Sequence, residues 1–303
     1  MPHDHHHHHV DPDAGDGKLA LAVVVNVGLT IAQIIGGILS GSLAMIADAL
    51  HNFSDAASLV IAVWARKIAR RPADAAMTFG YGRAEVVAAL INLTTLIVLG
   101  LYLIYEAIMR FFEPQEVIGW MIIVVASIAL FVDLVTALLT WRMAKDSVNI
   151  RAAFLHNVAD ALGSVAVIFA GLVIMATGWN WVDPLVTLGI AGYILWMAWG
   201  EIGGVVRILM QGTPPEQDVE AIMATAESVA GVQGLHHVHF WMMEEHRAAL
   251  TAHMVLDAGA WSHADGIKAA VKTLLDHKHG LTHVTLEMEC DAHQCRGEPR
   301  IGH

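Results

Sequence analysis

Six long apolar stretches constrain the fold more than any other feature of the sequence. They run roughly over residues 19–40, 43–65, 85–109, 119–141, 152–177 and 182–206. A bilayer core needs about 20 mostly apolar residues per helix, and each stretch reaches that length. Only 15% of the 303 residues are charged, against about 25% in a soluble domain. We therefore predict an all-α transmembrane domain of six helices.

Positive charge is distributed unevenly between the two ends of these helices. Of the eleven Lys and Arg residues before residue 213, ten fall on one side of the membrane and only Arg110 falls on the other. Because Lys and Arg favour the cytoplasmic side, we predict a multi-pass protein of the cell's inner membrane with both termini in the cytoplasm. The first 18 residues contain no apolar run behind a basic start, so no cleavable signal peptide is expected.

Charge and cysteine content argue against two classes of protein. The net charge is −12, whereas a nucleic-acid partner needs clustered Lys and Arg. Two cysteines, Cys290 and Cys295, cannot form the disulfide framework of a chain this long. An acidic membrane protein is instead suited to binding cations.

The sequence changes character at residue 213, where charged residues become frequent. A helix is predicted from Pro214 to about residue 230, followed by strands at 235–243 and 248–257, a helix at 262–278 and a strand at 283–290. This order predicts a small cytoplasmic α+β domain, αββαβ. The predicted organisation is a His-rich disordered tail (1–17), a transmembrane domain (18–212), a cytoplasmic metal-binding domain (213–290) and a C-terminal tail (291–303).

Ionisable residues at membrane depth are concentrated in the second and fifth predicted helices. His51 and Asp55 are four residues apart and share a helix face, with Asp48 one turn earlier on that face. His156 and Asp160 repeat the spacing, and residues 50–56 match residues 155–161 at five of seven positions. Since such residues are costly inside a membrane, they indicate a functional site.

Two helices that each offer an imidazole nitrogen and a carboxylate oxygen supply four ligands for one ion, a set that suits Zn²⁺. A single buried His has an ordinary alternative, a hydrogen bond to a neighbouring helix; two matching pairs favour a shared site. Asp48 has three alternatives: a transient ligand, a proton relay or part of a polar patch. Asp133 is a candidate for lining the same aqueous path, and Gln33 for an interhelical hydrogen bond.

Charge balance connects this site to protons. With both histidines neutral, Asp55 and Asp160 cancel the charge of a divalent cation. When the cation leaves, two neighbouring carboxylates in a low-dielectric site need positive charge, and His titrates near neutrality. We therefore predict that metal release is linked to protonation, as in a metal/proton antiporter.

Three motifs indicate a known family: Ala47-Asp48-Ala49-Leu50-His51 through Asp55, His156 through Asp160, and Thr78-Phe79-Gly80-Tyr81-Gly82-Arg83-Ala84-Glu85. With these motifs, the sequence resembles the cation diffusion facilitator family, in its bacterial zinc-efflux branch, over nearly the whole chain. The resemblance implies a homodimer that exports Zn²⁺ by alternating access, driven by inward proton flow. It also implies that His51, Asp55, His156 and Asp160 form the transport site.

For the cytoplasmic domain, the resemblance implies a ferredoxin-like fold and further zinc, structural or regulatory, bound at the dimer interface. His236 and His253 fall where such ligands occur, and Glu287 and Glu289 fall where some members have His and Asp. His263 is a weaker candidate, and solvated surface histidines are the alternative. The segment 78–85 is expected to order a cytoplasmic loop through backbone turns and an ion pair.

Both ends of the chain carry further metal-binding residue types. His3 and His5 to His9 form a cation-attracting end, or an expression tag if they are not native. Cys290, His293 and Cys295 have the spacing of soft ligands, with inert thiols as the alternative.

Two other functions compete. An intramembrane zinc-dependent enzyme needs an open coordination position and a general base, often within H-E-x-x-H, which is absent from this sequence. A haem-binding electron carrier leaves Asp55 and Asp160 unexplained. Selectivity among Zn²⁺, Cd²⁺ and Co²⁺ does not follow from the ligands alone, because the affinity order belongs as much to the metals.

Overall fold

A computed structural model describes residues 13–141, 148–290, 292–295, 297 and 299–302, with the backbone alone at 13–26, 59, 139–141 and 148–156. Six long helices come first: α1 (Asp13–Ser40), α2 (Leu43–Ala69), α3 (Arg83–Phe112), α4 (Gly119–Trp141), α5 (Val148–Thr177) and α6 (Val182–Leu209). They are followed by α7 (Val219–Glu227), β1 (Val232–Glu244), β2 (Arg247–Leu256), α8 (Ala264–His279) and β3 (His283–Cys290). A 3₁₀ turn at Ala260–His263 leads into α8.

Within the part of the chain that the structure describes, four helical segments are long and apolar enough to cross a membrane: Arg83–Phe112, Gly119–Leu138, Asn157–Thr177 and Val182–Leu209. The described apolar part of α1 is shorter, Val27–Ser40. Helix α2 is continuous, but Asp48, His51 and Asp55 interrupt its run of apolar residues. Many large apolar side chains lie on the outside of the helices; Trp196 and Trp199, for example, are 74% and 76% exposed. Exposure on this scale is explained by contact with lipid, so this part of the chain is a helical membrane region.

Small residues bring helices together in the first of two compact units, Met1–Ile61 with Asn92–Gly200. Ala44 of α2 and Ala126 of α4 belong to one buried cluster with Val167 of α5. Gly119 and Gly171 meet where α4 passes α5, and a Cβ added to Gly119 would lie 2.7 Å from the Gly171 carbonyl oxygen. Close backbone approach of this kind is the usual basis of helix packing within a membrane.

Asp183, in the first turn of α6, caps the beginning of α2. Its fully buried carboxylate accepts hydrogen bonds from the Ser42 hydroxyl (2.5 Å), the Leu43 N–H (2.7 Å) and the Ala44 N–H (3.3 Å). The N-terminus of a helix presents unsatisfied N–H groups and partial positive charge, so it favours a carboxylate. The Arg110 guanidinium of α3 lies 3.7 Å from the same carboxylate. Asp183 therefore joins three helices.

The second unit comprises Ala62–Ile91 and Glu201–His303 and contains a three-stranded sheet of order β1-β2-β3. β1 runs antiparallel to β2, and β2 runs parallel to β3. Helices α7 and α8 pack against the sheet around a core that includes Met223, Leu250, Val271 and Leu275. The αββαβ order is the predicted one, with α7 ending three residues earlier and β1 beginning three residues earlier than expected.

β1 is interrupted by a bulge between His236 and His239, where its register with β2 shifts. His237 adopts a left-handed conformation with φ of 53°. The chain beyond β3 pairs at this position: the His237 N–H donates to the Pro299 carbonyl (3.1 Å) and the Val238 N–H donates to the Arg300 carbonyl (3.2 Å). The described residues of the segment 291–303, expected as a tail, thus include a stretch bound to the edge of the sheet.

The loop between α2 and α3 is ordered by its own polar contacts. Asp74 accepts a hydrogen bond from the Tyr81 hydroxyl (2.7 Å) and others from two backbone N–H groups, which together lower the pKa of the Asp74 carboxyl. The ion pair expected for this segment joins Glu85 to Arg66 of α2, at 3.9 Å. Arg83 instead donates to a backbone carbonyl of β1.

We expect Asp183→Asn to lower the free energy of unfolding by about 3 kcal/mol, because it leaves the Arg110 charge without its buried partner and weakens the cap of α2. Thermal unfolding of the detergent-purified protein measures the effect. The matched control is Glu113→Gln, which removes the same charge from an exposed position. Equal melting temperatures for the two variants would contradict the assigned role.

Candidate metal centre

His51, Asp55 and Asp160 meet between α2 and α5. His51 Nε2 lies 3.7 Å from Asp55 Oδ2 and 3.4 Å from Asp160 Oδ1, and one ligand atom of each residue lies within 4.8 Å of the others. His51 and Asp160 are buried and Asp55 is half-buried. The structure thus brings together three of the four residues predicted to form the membrane site.

His156, the fourth predicted ligand, lies in α5 one turn before Asp160, and its side chain is outside the described residues. The i,i+4 spacing places it on the same helix face as Asp160. The ring of Tyr193 on α6 contacts the other side of the site, edge-on to His51 with 6.3 Å between ring centroids.

The two carboxylates and the imidazole offer two oxygen donors and one nitrogen donor to a divalent cation. The donors are nitrogen and oxygen, which suit Zn²⁺ and other borderline metals. A tetrahedral Zn²⁺ with bonds of about 2.0–2.2 Å separates its ligand atoms by about 3.3–3.6 Å. The distances around His51 Nε2 are already close to that separation.

Asp48 lies one turn before His51 but is engaged elsewhere. Its Oδ2 accepts a hydrogen bond from Gln33 Nε2 of α1 at 2.7 Å, and Gln33 Oε1 in turn accepts one from Asn52 Nδ2 at 3.2 Å. This confirms the interhelical role predicted for Gln33, whereas the part played by Asn52 was missed. A Cβ at Gly163 of α5 would meet Asp48 Oδ1 at 2.9 Å, so a glycine here gives the carboxylate its space.

Asp133 of α4 is also buried and accepts a hydrogen bond from the Ser164 hydroxyl of α5 at 3.2 Å. Ser164 follows Asp160 by one helical turn. Another buried carboxylate therefore lies against the helix that carries Asp160, and it is not one of the three residues of the cluster described above.

A second cluster forms on the sheet of the cytoplasmic domain. Glu289 lies 2.7 Å from His253 Nδ1 through Oε1 and 3.2 Å from His236 Nε2 through Oε2. The structure thus brings together three of the four predicted cytoplasmic ligands, and Cys295 joins them within 4.8 Å. Glu287, the fourth predicted ligand, lies outside this group: it is 3.4 Å from the opposite nitrogen of His253, Nε2.

Hydrogen bonds lower the pKa of the central carboxylate of this cluster. Burial raises the pKa of Glu289, but hydrogen bonds with Cys295 and His253 outweigh it and hold the pKa below its ordinary value. Glu287 and Glu289 share one face of β3 but are separated along the strand by two residues, or about 7 Å. This separation explains why they lie near different nitrogens of His253.

The remaining candidates that the structure describes, His263, Cys290 and His293, belong to neither cluster. His263 is exposed and contacts Ser262. Cys290 Sγ lies 3.2 Å from His293 Nδ1, a contact that lowers the pKa of the thiol. His3 and His5 to His9 lie outside the described residues.

Comparison with known proteins identifies the family. The family model of the cation efflux transmembrane domain matches residues 19–210, and that of the cation efflux protein cytoplasmic domain matches residues 214–290. The two matches agree with the helical membrane region and with the αββαβ module. The chain is a multi-pass membrane transporter and belongs to the cation efflux, or cation diffusion facilitator, family.

Curated relatives are similar over most of their own length. The cadmium, cobalt and zinc/H⁺-K⁺ antiporter of Bacillus subtilis is 39% identical, covering 91% of this chain and 89% of the relative. The zinc transporter ZitB of Pectobacterium atrosepticum is 35% identical, covering 92% and 88%. The metal cation efflux system protein CzcD of Cupriavidus metallidurans is 33% identical, covering 90% and 86%. These are transporters, so neither the intramembrane enzyme nor the haem carrier is retained.

We expect His51→Ala to reduce the zinc bound by the purified protein by about one Zn²⁺ per chain, because it removes the imidazole that contacts both carboxylates of the cluster. Metal analysis after equilibrium dialysis measures the stoichiometry. His246→Ala removes an exposed histidine and serves as the control. Unchanged stoichiometry in His51→Ala would show that this imidazole is not a ligand.

Proposed function

We propose that the protein exports divalent metal cations, Zn²⁺ first and Cd²⁺ or Co²⁺ as alternatives, from the cytoplasm by alternating access in exchange for protons. The observation that carries the proposal is the cluster of His51, Asp55 and Asp160 inside the transmembrane domain of a cation efflux protein. His156 completes the proposed transport site as the second imidazole.

The composition of the site supports a transported ion. Two carboxylates neutralise a divalent cation, and the imidazole donors favour Zn²⁺ over harder ions such as Mg²⁺. The named functions of the relatives agree, since those proteins are zinc transporters or cadmium, cobalt and zinc antiporters.

Protons are the proposed counter-ion. The same three side chains that bind the cation have protonatable atoms, and the like charges of Asp55 and Asp160 oppose an empty, fully ionised site. Binding of the metal and binding of protons then compete for the same atoms. Asp48, bonded to Gln33, is proposed as a proton relay or transient ligand one turn away.

The proposed topology has six membrane spans, with α1 and α2 added to the four segments that are apolar enough by themselves. The ionisable residues within α2 are expected in a helix that lines an ion pathway, because such residues inside a membrane mark ion sites. The excess of Lys and Arg on one side supports cytoplasmic termini and an inner-membrane location. The cytoplasmic module is proposed to be ferredoxin-like and to pair with a second copy in a homodimer.

The cytoplasmic cluster is proposed to hold a resident zinc ion. His236, His253 and Glu289 offer two nitrogens and one carboxylate oxygen, a donor set that fits Zn²⁺. Such an ion would have a structural or regulatory role, because the cluster lies on the sheet and not on a membrane helix.

The direct test is metal uptake into proteoliposomes under an imposed pH gradient. We expect Zn²⁺ flux to increase severalfold when the gradient favours proton movement in the opposite direction, and to fall to the rate of protein-free vesicles in Asp160→Asn. Glu113→Gln controls for the loss of one carboxylate. Equal Zn²⁺ flux with and without the gradient would overturn antiport, and full activity of Asp160→Asn would overturn the site.

A change of ligand type should change the choice of metal. We expect His51→Asp to raise the ratio of Mn²⁺ to Cd²⁺ transport, because a third carboxylate makes the donor set harder and Cd²⁺ prefers nitrogen or sulfur. The two rates are measured in the same vesicles. A ratio equal to that of the unmodified protein would mean that residue 51 does not touch the ion.

A further inference from the structure

Cys295 is a candidate ligand in the cytoplasmic domain that the proposed transport cycle does not use. It follows β3 by five residues, and its thiol is within 4.8 Å of the ligand atoms of His236, His253 and Glu289. Its backbone N–H also donates to Glu289 Oε2 at 3.2 Å. The chain thus turns back after β3 and brings a sulfur to a cluster of two imidazoles and a carboxylate.

The nitrogens of the cluster are oriented as metal ligands. His236 Nε2 is buried and, among the described residues, makes no hydrogen bond, although it lies 3.2 Å from Glu289. His253 has Glu287 near Nε2 and the cluster near Nδ1. With a metal bound, a proton on Nε2 shared with Glu287 would leave the Nδ1 lone pair for the metal, an arrangement in which a carboxylate commonly orients a metal-bound histidine.

The C-terminal segment that contains Cys295 pairs with β1 through its later residues, 299–302. Ile301 forms a parallel bridge with Val238, and the Gly302 N–H donates to the Val238 carbonyl at 3.1 Å. The Arg300 guanidinium lies 2.9 and 3.0 Å from the two oxygens of Glu227 at the end of α7. Since this ion pair is exposed, it contributes little by itself.

The bulge of β1 joins the metal ligands to this segment. His236 immediately precedes His237 and Val238, whose N–H groups are bonded to Pro299 and Arg300. A metal ion bound by both His236 and Cys295 would therefore connect the bulge of β1 to the C-terminal segment that pairs with it.

Building on the resident zinc ion proposed for His236, His253 and Glu289, we propose that Cys295 is its fourth ligand, in a His₂-Glu-Cys site, and that metal binding there fastens the C-terminal segment across β1 as a metal-responsive latch. The four donors form a tetrahedral set when they draw together by about 1 Å, since ligand atoms around Zn²⁺ stand about 3.3–3.8 Å apart. The thiolate makes this site softer than the membrane site, so it retains Zn²⁺ or Cd²⁺ in preference to harder ions.

The thiolate allows a test that does not depend on transport. Co²⁺ bound through sulfur gives a thiolate-to-metal charge-transfer band in the near ultraviolet, and the membrane site, with nitrogen and oxygen donors, gives none. Titration of the full-length protein with Co²⁺ is expected to produce the band in the unmodified chain and in Cys290→Ser, and to lose it in Cys295→Ser. The band's absence from the unmodified chain, or its persistence in Cys295→Ser, overturns the assignment.

Alkylation of the unmodified protein provides a second measurement that needs no variant. Zn²⁺ is expected to slow the alkylation of Cys295 by about tenfold or more, because a metal-bound thiolate is a poor nucleophile, and to slow that of Cys290 much less. Peptide mass analysis separates the two cysteines. Equal rates for Cys295 with and without Zn²⁺ overturn the site.

Hydrogen exchange tests the latch. Zn²⁺ is expected to slow exchange of the His237 and Val238 amides in the unmodified protein and in Cys290→Ser, because these amides are bonded to the C-terminal segment. In Cys295→Ser the metal is expected to leave their exchange unchanged. Metal-independent exchange in the unmodified protein overturns the latch, even when the charge-transfer band is present.

Discussion

The burial of two carboxylates beside an imidazole is the constraint on which the membrane region depends. Charged groups inside a bilayer are costly unless they face protein or water and have partners. Asp55 and Asp160 meet this condition because α2 and α5 pack closely enough for His51 to contact both. Other parts of the unit follow from the same condition: Gly163 leaves room for Asp48, Gln33 supplies a hydrogen bond to it, and Asp183 caps the start of α2.

The two histidine–carboxylate clusters found among the described residues differ in the chemistry they offer. The membrane cluster has nitrogen and oxygen donors whose charge is balanced by one divalent cation or by protons, which is what a site for transient binding needs. The cytoplasmic cluster adds the sulfur of Cys295 to His236, His253 and Glu289. A thiolate binds Zn²⁺ more tightly than a carboxylate does, and that suits an ion that stays with the protein.

The membrane site was predicted from helical periodicity. His51 with Asp55 and His156 with Asp160 have i,i+4 spacing in two similar heptapeptides, and residues with this spacing share a face of any α-helix. The contacts of Asp183 with Ser42 and Leu43 could not be predicted, because they join residues 140 or more positions apart through the packing of α6 on α2. The element order of the cytoplasmic domain was predictable from its alternating strands, whereas its β1 bulge was not.

Spacing was misleading at the end of the chain. Cys290, His293 and Cys295 suggest one local metal site, but the structure turns Cys295 toward His236, 59 positions away, while Cys290 contacts His293. Glu287 and Glu289 are equivalent by strand alternation, and only the distances to the two nitrogens of His253 distinguish them. Side-chain direction in an irregular segment depends on tertiary contacts that a local pattern does not contain.

The central claim is that one ion binds between α2 and α5, and zinc anomalous diffraction from crystals of the full-length protein tests it most directly. The account predicts an anomalous peak about 2.0–2.2 Å from His51 Nε2 and from one oxygen each of Asp55 and Asp160, with His156 as the fourth ligand. A fully occupied zinc site elsewhere in the membrane region, with His51 directed away from it, would contradict the account.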